Sequence, residues 1–148
     1  MAPGEYHMNT EKIIFIAILF TVTIILHEFT HWLALKKMGG SGKFAIIKGS
    51  FRLPTIGIRY TGGLKNWRQV VFFKGMPIPV TFICFYYLAS VIVDPARSTD
   101  FLGWFVVWVF ALALTWIACN KDFFDIRVIM IRGDEMNFEE VFNAQTHR

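Results

Sequence analysis

The sequence predicts an α-helical integral membrane protein, with three transmembrane helices and a short β segment at the membrane surface between the first and second. Two observations lead to this prediction. Hydrophobic residues make up 55% of the 148 residues and charged residues only 18%, whereas a typical soluble domain has about 25% charged residues. The apolar residues also concentrate in three runs, each close to the roughly 20 residues that a helix needs to cross a bilayer.

The predicted spans cover about residues 13–35, 76–93 and 101–119. The first contains no Pro or Gly, which favours a continuous helix. The second opens with Pro77 and Pro79 at a helix start, where a missing amide donor costs least, although it could begin a turn earlier at QVVFF. The third could continue through KDFFDIRVIMI. A soluble bundle is disfavoured, because the rest of the chain is too short to cover three all-apolar helices.

The segment between the first two spans is predicted to form strands. It contains KFAIIKG, SFRL and TIGIRYTG, which are rich in β-branched and aromatic residues and separated by Gly and Pro. Such a pattern is typical of short strands. We therefore expect a hairpin or small sheet lying at the membrane surface.

The charges of this segment predict the orientation of the chain. Residues 36–74 contain nine Lys or Arg and no Asp or Glu. The nine cations are Lys36, Lys37, Lys43, Lys48, Arg52, Arg59, Lys65, Arg68 and Lys74. The positive-inside rule places this loop and the C-terminus in the cytoplasm and the N-terminus outside. Anionic lipid headgroups, rather than nucleic acid, are the expected partners of the basic loop.

The remaining parts of the chain are short. Residues 1–8, MAPGEYHM, are expected to be a leader or expression tag. Residues 9–132 form the predicted three-span core, and residues 133–148 a polar C-terminal tail. Cys84 and Cys119 both lie in apolar runs, outside any CxxC pair, so we predict that they are small buried hydrophobic residues.

Three ionisable residues interrupt the first span in the segment HEFTH. His27 and His31 are four residues apart, so on a helix they share one face. This His-Glu-x-x-His spacing lets two imidazoles bind one zinc ion and leaves Glu28 free to accept a proton from water. Ionisable residues inside a span are costly and usually serve a function. The motif therefore predicts a zinc site, with Glu28 as the catalytic base.

A catalytic zinc site needs a third protein ligand, and the end of the third span offers two aspartates. Asp122 and Asp125 are one helical turn apart. In the predicted topology they lie on the cytoplasmic side of the membrane, as does the end of the first span. His27 lies nine residues before Lys36, about 13 Å along a helix, so the shallower Asp125 is the less favoured of the two. Three glutamates of the polar tail are weaker candidates. They are Glu135, Glu139 and Glu140.

Three segments together resemble a known family. HEFTH in the first span, KGMPIPV opening the second and NKDFFD ending the third resemble the site-2-protease-type intramembrane zinc metalloproteases. More narrowly, the chain is similar to the small three-span zincin-like membrane proteins related to them. The resemblance covers about residues 11–132, and HExxH is its one highly specific motif.

The resemblance implies a set of roles. A strand-rich segment would follow the HExxH helix, and an Asp on the third core helix would be the third ligand. His27, His31 and either Asp122 or Asp125 would bind zinc, and Glu28 would act as the base. The expected activity is hydrolysis of a peptide bond in a transmembrane or membrane-adjacent substrate near the cytoplasmic face.

Two alternatives stay open at this point. One is a membrane zinc protease of the prenyl-processing type, whose third ligand is a Glu and which normally has more spans. The other is a non-catalytic membrane binding or assembly protein, with a structural metal or none. For the protease, the expected partners are the lipid bilayer and a membrane protein or peptide substrate, and no nucleic acid. The oligomeric state is not predicted.

Overall fold

The computed structural model describes residues 10–48, 54–93 and 101–132, which are mostly helical. The elements, in chain order, are α1 (Thr10–Lys37), β1 (Ser41–Lys48), β2 (Pro54–Gly62), α2 (Trp67–Gly75), α3 (Pro77–Val93), α4 (Phe101–Ala118) and α5 (Asn120–Arg132). Three helical stretches in these ranges are long and apolar enough to cross a membrane. The predicted class, three apolar helices with a small β segment between the first and second, is confirmed. It indicates a multi-pass membrane protein.

Some predicted parts lie outside the described residues. They are the leader at 1–8, the link at 94–100 and the polar tail at 133–148, together with the tail glutamates proposed as weaker ligands. The SFRL segment between the strands also lies outside them. The description that follows concerns the three described ranges.

The first span is one uninterrupted helix that ends in a glycine cap. α1 extends slightly beyond the predicted run 13–35 at both ends. Gly39 has φ +75° and donates its N–H to the Lys36 carbonyl at 3.1 Å, while Gly40 donates to Leu35 at 2.9 Å. These two bonds form a Schellman motif, which satisfies the last carbonyls of the helix. The chain therefore leaves α1 sharply and enters β1 directly.

The two strands form the predicted antiparallel hairpin. Ile46 faces Ile56 across the pair, and Lys43 faces Arg59. Because successive side chains alternate between faces, these two pairs lie on opposite faces of the hairpin. One face therefore carries the Ile46–Ile56 pair and the other the Lys43–Arg59 pair.

The second span is longer than predicted and is broken near its middle. The helix begins at Trp67, where the Asn66 side chain caps it by accepting the Gln69 N–H at 3.0 Å. It is interrupted at Met76 and resumes at Pro77. α3 agrees with the predicted run 76–93 to within one residue, and the earlier start considered at QVVFF falls inside α2, so the whole helical stretch begins at Trp67. Pro77 lies at the break, since a proline has no N–H to continue the helical bonds.

The third span ends at Ala118, and a separate helix follows. Cys119 lies between the two helices, and the i→i−4 bonds of Cys119 to Thr115 and of Phe123 to Cys119 continue across it. α5 packs against α2, and its Ile129 belongs to a buried cluster with Leu35, Val70 and Phe73. Asp122 lies in its first turn.

The outer surfaces of α1 and α4 are apolar. Large hydrophobic side chains are exposed along both helices, among them Ile18, Leu33, Phe101, Leu102 and Trp116. In a water-soluble protein such a continuous apolar surface would be unusual. A lipid environment accounts for it, in agreement with the length and composition of the helices.

Candidate metal centre

The two histidines of the HExxH motif lie on the inner face of α1. Their ring centroids are 4.9 Å apart in an edge-to-face arrangement. His31 is buried and His27 is half-buried. The i, i+4 spacing thus produces the shared face that the sequence predicts, and this face points toward α2, α3 and α5 rather than toward lipid.

Each imidazole is held by its Nδ1 atom. His27 Nδ1 lies 2.8 Å from Thr81 Oγ1, and His31 Nδ1 lies 2.9 Å from the Phe73 backbone carbonyl. Metal-binding histidines generally donate one ring N–H to such a partner and bind the metal through the other nitrogen. Both Nε2 atoms are therefore the ones available to a metal ion.

The Asp122 carboxylate faces both of these nitrogens. Its Oδ2 atom is 3.4 Å from His27 Nε2 and 3.3 Å from His31 Nε2. Zinc–ligand bonds of about 2.0–2.2 Å in a tetrahedron put neighbouring ligand atoms about 3.3–3.6 Å apart, and the two observed distances lie in that range. Two imidazoles and one carboxylate are a donor set that zinc accepts. Among the described residues, the group whose ligand atoms all lie within 4.8 Å of one another is His27, Cys119 and Asp122, without His31.

A buried lysine binds the other oxygen of the same carboxylate. Lys74 Nζ lies 3.2 Å from Asp122 Oδ1 and 3.0 Å from Asp125 Oδ2. Burial alone would raise the pKa of the Asp122 carboxyl, but hydrogen bonds from His27 and His31 and the charge of Lys74 hold that pKa well below its usual range. Asp122 is therefore a carboxylate, as a metal ligand must be.

The two aspartates considered from the sequence thus occupy different places. Asp122 is next to both histidines, whereas Asp125 is on the far side of the Lys74 ammonium. Despite the difference in depth expected from the sequence, Asp122 lies beside His27, on a helix that packs against α2. Glu28 follows His27 on α1 and is half-buried.

Cys119 is a member of this cluster that sequence reasoning missed. The sequence predicted a small buried hydrophobic residue, and Cys119 is indeed fully buried. However, ligand atoms of His27, Cys119 and Asp122 all lie within 4.8 Å of one another, close enough to bind a metal ion. The Cys119 sulfur is 3.9 Å from His27 Nδ1, the nitrogen that also contacts Thr81. In the sequence, the position of Cys119 three residues before Asp122 is the one feature that could have placed it near the site.

Three supporting groups were also missed. Thr81 looked like an ordinary residue of an apolar span, and Lys74 was counted among the cations of the loop. The third group is the backbone carbonyl of Phe73, and the sequence does not show which backbone carbonyls bind side chains. Lys74 is in fact buried in α2. Its position in an apolar run could have indicated that Lys74 pairs with a buried acidic residue, since a buried charge needs a partner.

Comparisons of the chain with known proteins matched no protein-family model, no curated protein and no solved structure. The function therefore has to be inferred from the geometry of this site and from the apolar helices that surround it.

Proposed function

We propose that the protein is an intramembrane zinc endopeptidase that hydrolyses a peptide bond in a transmembrane or membrane-adjacent substrate near the cytoplasmic face. One observation carries the proposal. The Nε2 atoms of His27 and His31 both face one oxygen of Asp122 at 3.3–3.4 Å, and α1, which carries the histidines, is apolar enough to cross a membrane. A structural salt bridge would not require the adjacent Glu28, whereas hydrolysis needs such a base.

His27, His31 and Asp122 would hold the metal ion. A bound zinc ion would act as a Lewis acid toward the scissile carbonyl and make hydroxide available near neutral pH. Glu28 would accept the proton of the attacking water and pass it to the leaving amine nitrogen. Thr81 and the Phe73 carbonyl would keep the imidazole rings oriented during these steps.

The hairpin offers a way to bind an extended peptide. A two-stranded sheet has open edges, and a substrate segment could add to an edge as a further strand. β1 follows closely after the end of α1, the helix that carries the HExxH motif. A peptide bound there would be extended, the conformation in which a protease cleaves its substrate.

The proposal is tested first by metal content and then by activity. Elemental analysis of the purified protein should find about one zinc per chain, lost in both His27→Ala and His31→Ala. Glu28→Gln should keep the zinc but abolish cleavage, because an amide lacks the basic lone pair. Activity would be measured in proteoliposomes with a panel of single-span model peptides.

Two results would contradict the protease proposal. One is full zinc content in both histidine variants. The other is a Glu28→Gln protein that cleaves a panel peptide at the wild-type rate. Failure of the zinc-loaded wild-type protein to cleave any panel peptide would count in favour of the non-catalytic alternative described next.

Cys119 supports a second candidate, a non-catalytic membrane protein with a structural metal. Four protein ligands would close the coordination sphere and leave no position for water. We favour the catalytic arrangement, because Cys119 approaches His27 at Nδ1, whereas Asp122 approaches at Nε2. An ion on Nε2 would lie on the opposite side of the ring from the sulfur.

Cys119→Ser separates the two candidates. The catalytic arrangement predicts that this variant keeps its zinc affinity within about threefold, and Cys84→Ser serves as the matched control. A structural site that includes the thiolate would lose affinity by about 10-fold or more, as expected for a lost ligand. Competition with a chromophoric chelator measures both. The prenyl-processing alternative is less well supported, since the carboxylate next to the histidines is an Asp.

A further inference from the structure

Helix α5 has a second face, opposite the one that carries Asp122 and Ile129. Phe124 and Ile131 lie on this outward face with 63% and 72% of their surface exposed, and Arg127 lies between them and is also exposed. The spacing of three and then four residues puts the three side chains on one side of the helix. A large apolar pair with a cation between them is thus left outside the packed core.

The charge of the outward face is positive. The two acidic residues of α5, Asp122 and Asp125, form ion pairs with the same buried lysine on the inward side. Arg127 is flanked by Lys121 and Arg132, which are both exposed. Exposed apolar side chains interleaved with cations are typical of a helix in contact with an anionic membrane surface.

The contacts of α5 define its depth relative to α1. Asp122 near its start lies beside His27 and His31, and Ile129 near its end belongs to the buried cluster that contains Leu35. His27 and Leu35 are eight residues apart and Asp122 and Ile129 seven, which correspond to about 12 Å and about 10 Å along a helix. α5 therefore runs beside the last two turns of α1, whose apolar run ends at Leu35.

The outward face also continues the apolar surface of α4. Trp116 of that surface stacks on Phe123, with ring centroids 5.1 Å apart, and Phe124 follows directly. Phe124 lies about 7 Å before the level of Ile129 along the helix, and Arg127 about 3 Å before it. Phe124 is therefore at the depth of the acyl chains, whereas the long side chain of Arg127 reaches the headgroups.

We propose that the outward face of α5, formed by Phe124, Arg127 and Ile131, binds anionic phospholipid of the leaflet at this end of α1. The two apolar side chains contact the acyl chains, and the Arg127 guanidinium donates two parallel hydrogen bonds to the lipid phosphate. The lipid thus holds from outside the helix that presents Asp122 on its inner side. The contact needs no metal ion and does not rest on the proposed function.

Fluorescence quenching in phosphatidylcholine vesicles locates the face. Phe124→Cys or Ile131→Cys is labelled with bimane in a Cys84→Ser background that keeps Cys119, which is fully buried; the background without an added cysteine is the blank. Both labels should be quenched by brominated phosphatidylcholine and resist iodide supplied on both sides of the membrane. A label at Lys43→Cys, at an exposed position of the hairpin, should show the reverse.

Two results of this experiment would overturn the proposal. Quenching of the position 124 label by iodide alone would place the outward face in water. Protection of both α5 labels from both quenchers would show that protein, such as a second copy of the chain, covers the face instead of lipid.

The lipid preference is measured with the same label at position 124, from quenching by brominated phosphatidylglycerol relative to brominated phosphatidylcholine. Phosphatidylglycerol should be preferred by about fivefold, the effect expected of one cation near an anionic membrane surface. Arg127→Gln should lose most of this preference, whereas Arg68→Gln, at an exposed cation of α2, should keep it. Equal affinity for the two lipids with Arg127 present, or an unchanged preference in Arg127→Gln, would overturn the proposal.

Discussion

The Asp122 carboxylate uses its two oxygens for different partners. Oδ2 faces the two imidazoles, and Oδ1 accepts from the Lys74 ammonium. A carboxylate ligand whose second oxygen is held by a cation has little freedom to turn, so the ligand is oriented before any metal binds. Lys74 also forms an ion pair with Asp125, so one buried ammonium is shared by two carboxylates.

The same arrangement predicts unequal effects for the two aspartates. Asp122→Ala should weaken zinc binding by about 10-fold or more, and Asp125→Ala by less, because loss of a ligand exceeds loss of an outer partner. Chelator competition measures both affinities, and Lys121→Ala, at an exposed neighbouring position, is the control. The reverse order would assign the third ligand to Asp125 and leave the proposed reaction otherwise unchanged.

The buried ion pairs are better explained by function than by stability. Removing two charges from water is expensive, and a buried pair is often no more stabilising than apolar residues of similar size. Lys74, Asp122 and Asp125 nevertheless lie together among apolar helices. We infer that the site uses them to orient the carboxylate that faces the histidines.

At the scale of elements, two helix interruptions surround the site. α1 is continuous and carries both histidines, whereas the breaks at Met76 and Cys119 let α2, α3 and α5 approach it from different sides. α2 supplies the Phe73 carbonyl and Lys74, and α3 supplies Thr81. Irregular backbone at membrane depth is tolerated where it is buried in protein or lines a polar cavity. The broken helices therefore belong to the architecture of the site.

Packing of α5 on α2 is the element-level contact that completes the cluster. Ile126 lies 3.9 Å from the place where a side chain on Gly75 would begin, and Ile129 is buried in the cluster beneath the hairpin. The apolar side of α5 thus lies against α2, and its first turn presents Asp122 to the histidines.

For the whole molecule, the charge distribution predicts the orientation in the membrane. Residues 36–74 contain nine cations, and one of them, Lys74, is buried in ion pairs. The other eight count as charges that flank the membrane spans. By the positive-inside rule they predict that this segment lies in the cytoplasm and the N-terminus outside. The candidate metal centre, built from the end of α1 and the start of α5, would then lie toward the cytoplasmic face.

Cysteine labelling tests this orientation. In a cysteine-free background, a cysteine at Lys43, which is exposed, should resist a membrane-impermeant thiol reagent in intact cells. A cysteine at Thr99, in the link outside the described residues, should react. Both should react after the cells are permeabilised, which controls for accessibility. Labelling of position 43 from outside would invert the topology and place the site at the outer face.

The sequence by itself determined the features that depend on neighbouring residues. The three apolar runs, the hairpin and the common face of His27 and His31 all follow from local periodicity, because helix and strand geometry repeat within a few residues. The continuous first span was predicted within a turn at each end. The predicted second and third runs agree with α3 and α4 to within one residue, and what they did not fix is where the neighbouring helices α2 and α5 pack.

Only the tertiary structure decided which groups meet the histidines. Thr81 is 54 residues from His27, the Phe73 carbonyl is 42 residues from His31, and Asp122 is 91 residues from His31. No local pattern links positions so far apart. Asp122, rather than Asp125, lies beside the histidines in the helix that packs against α2. These are properties of how helices pack, which the spacing of residues along one helix cannot specify.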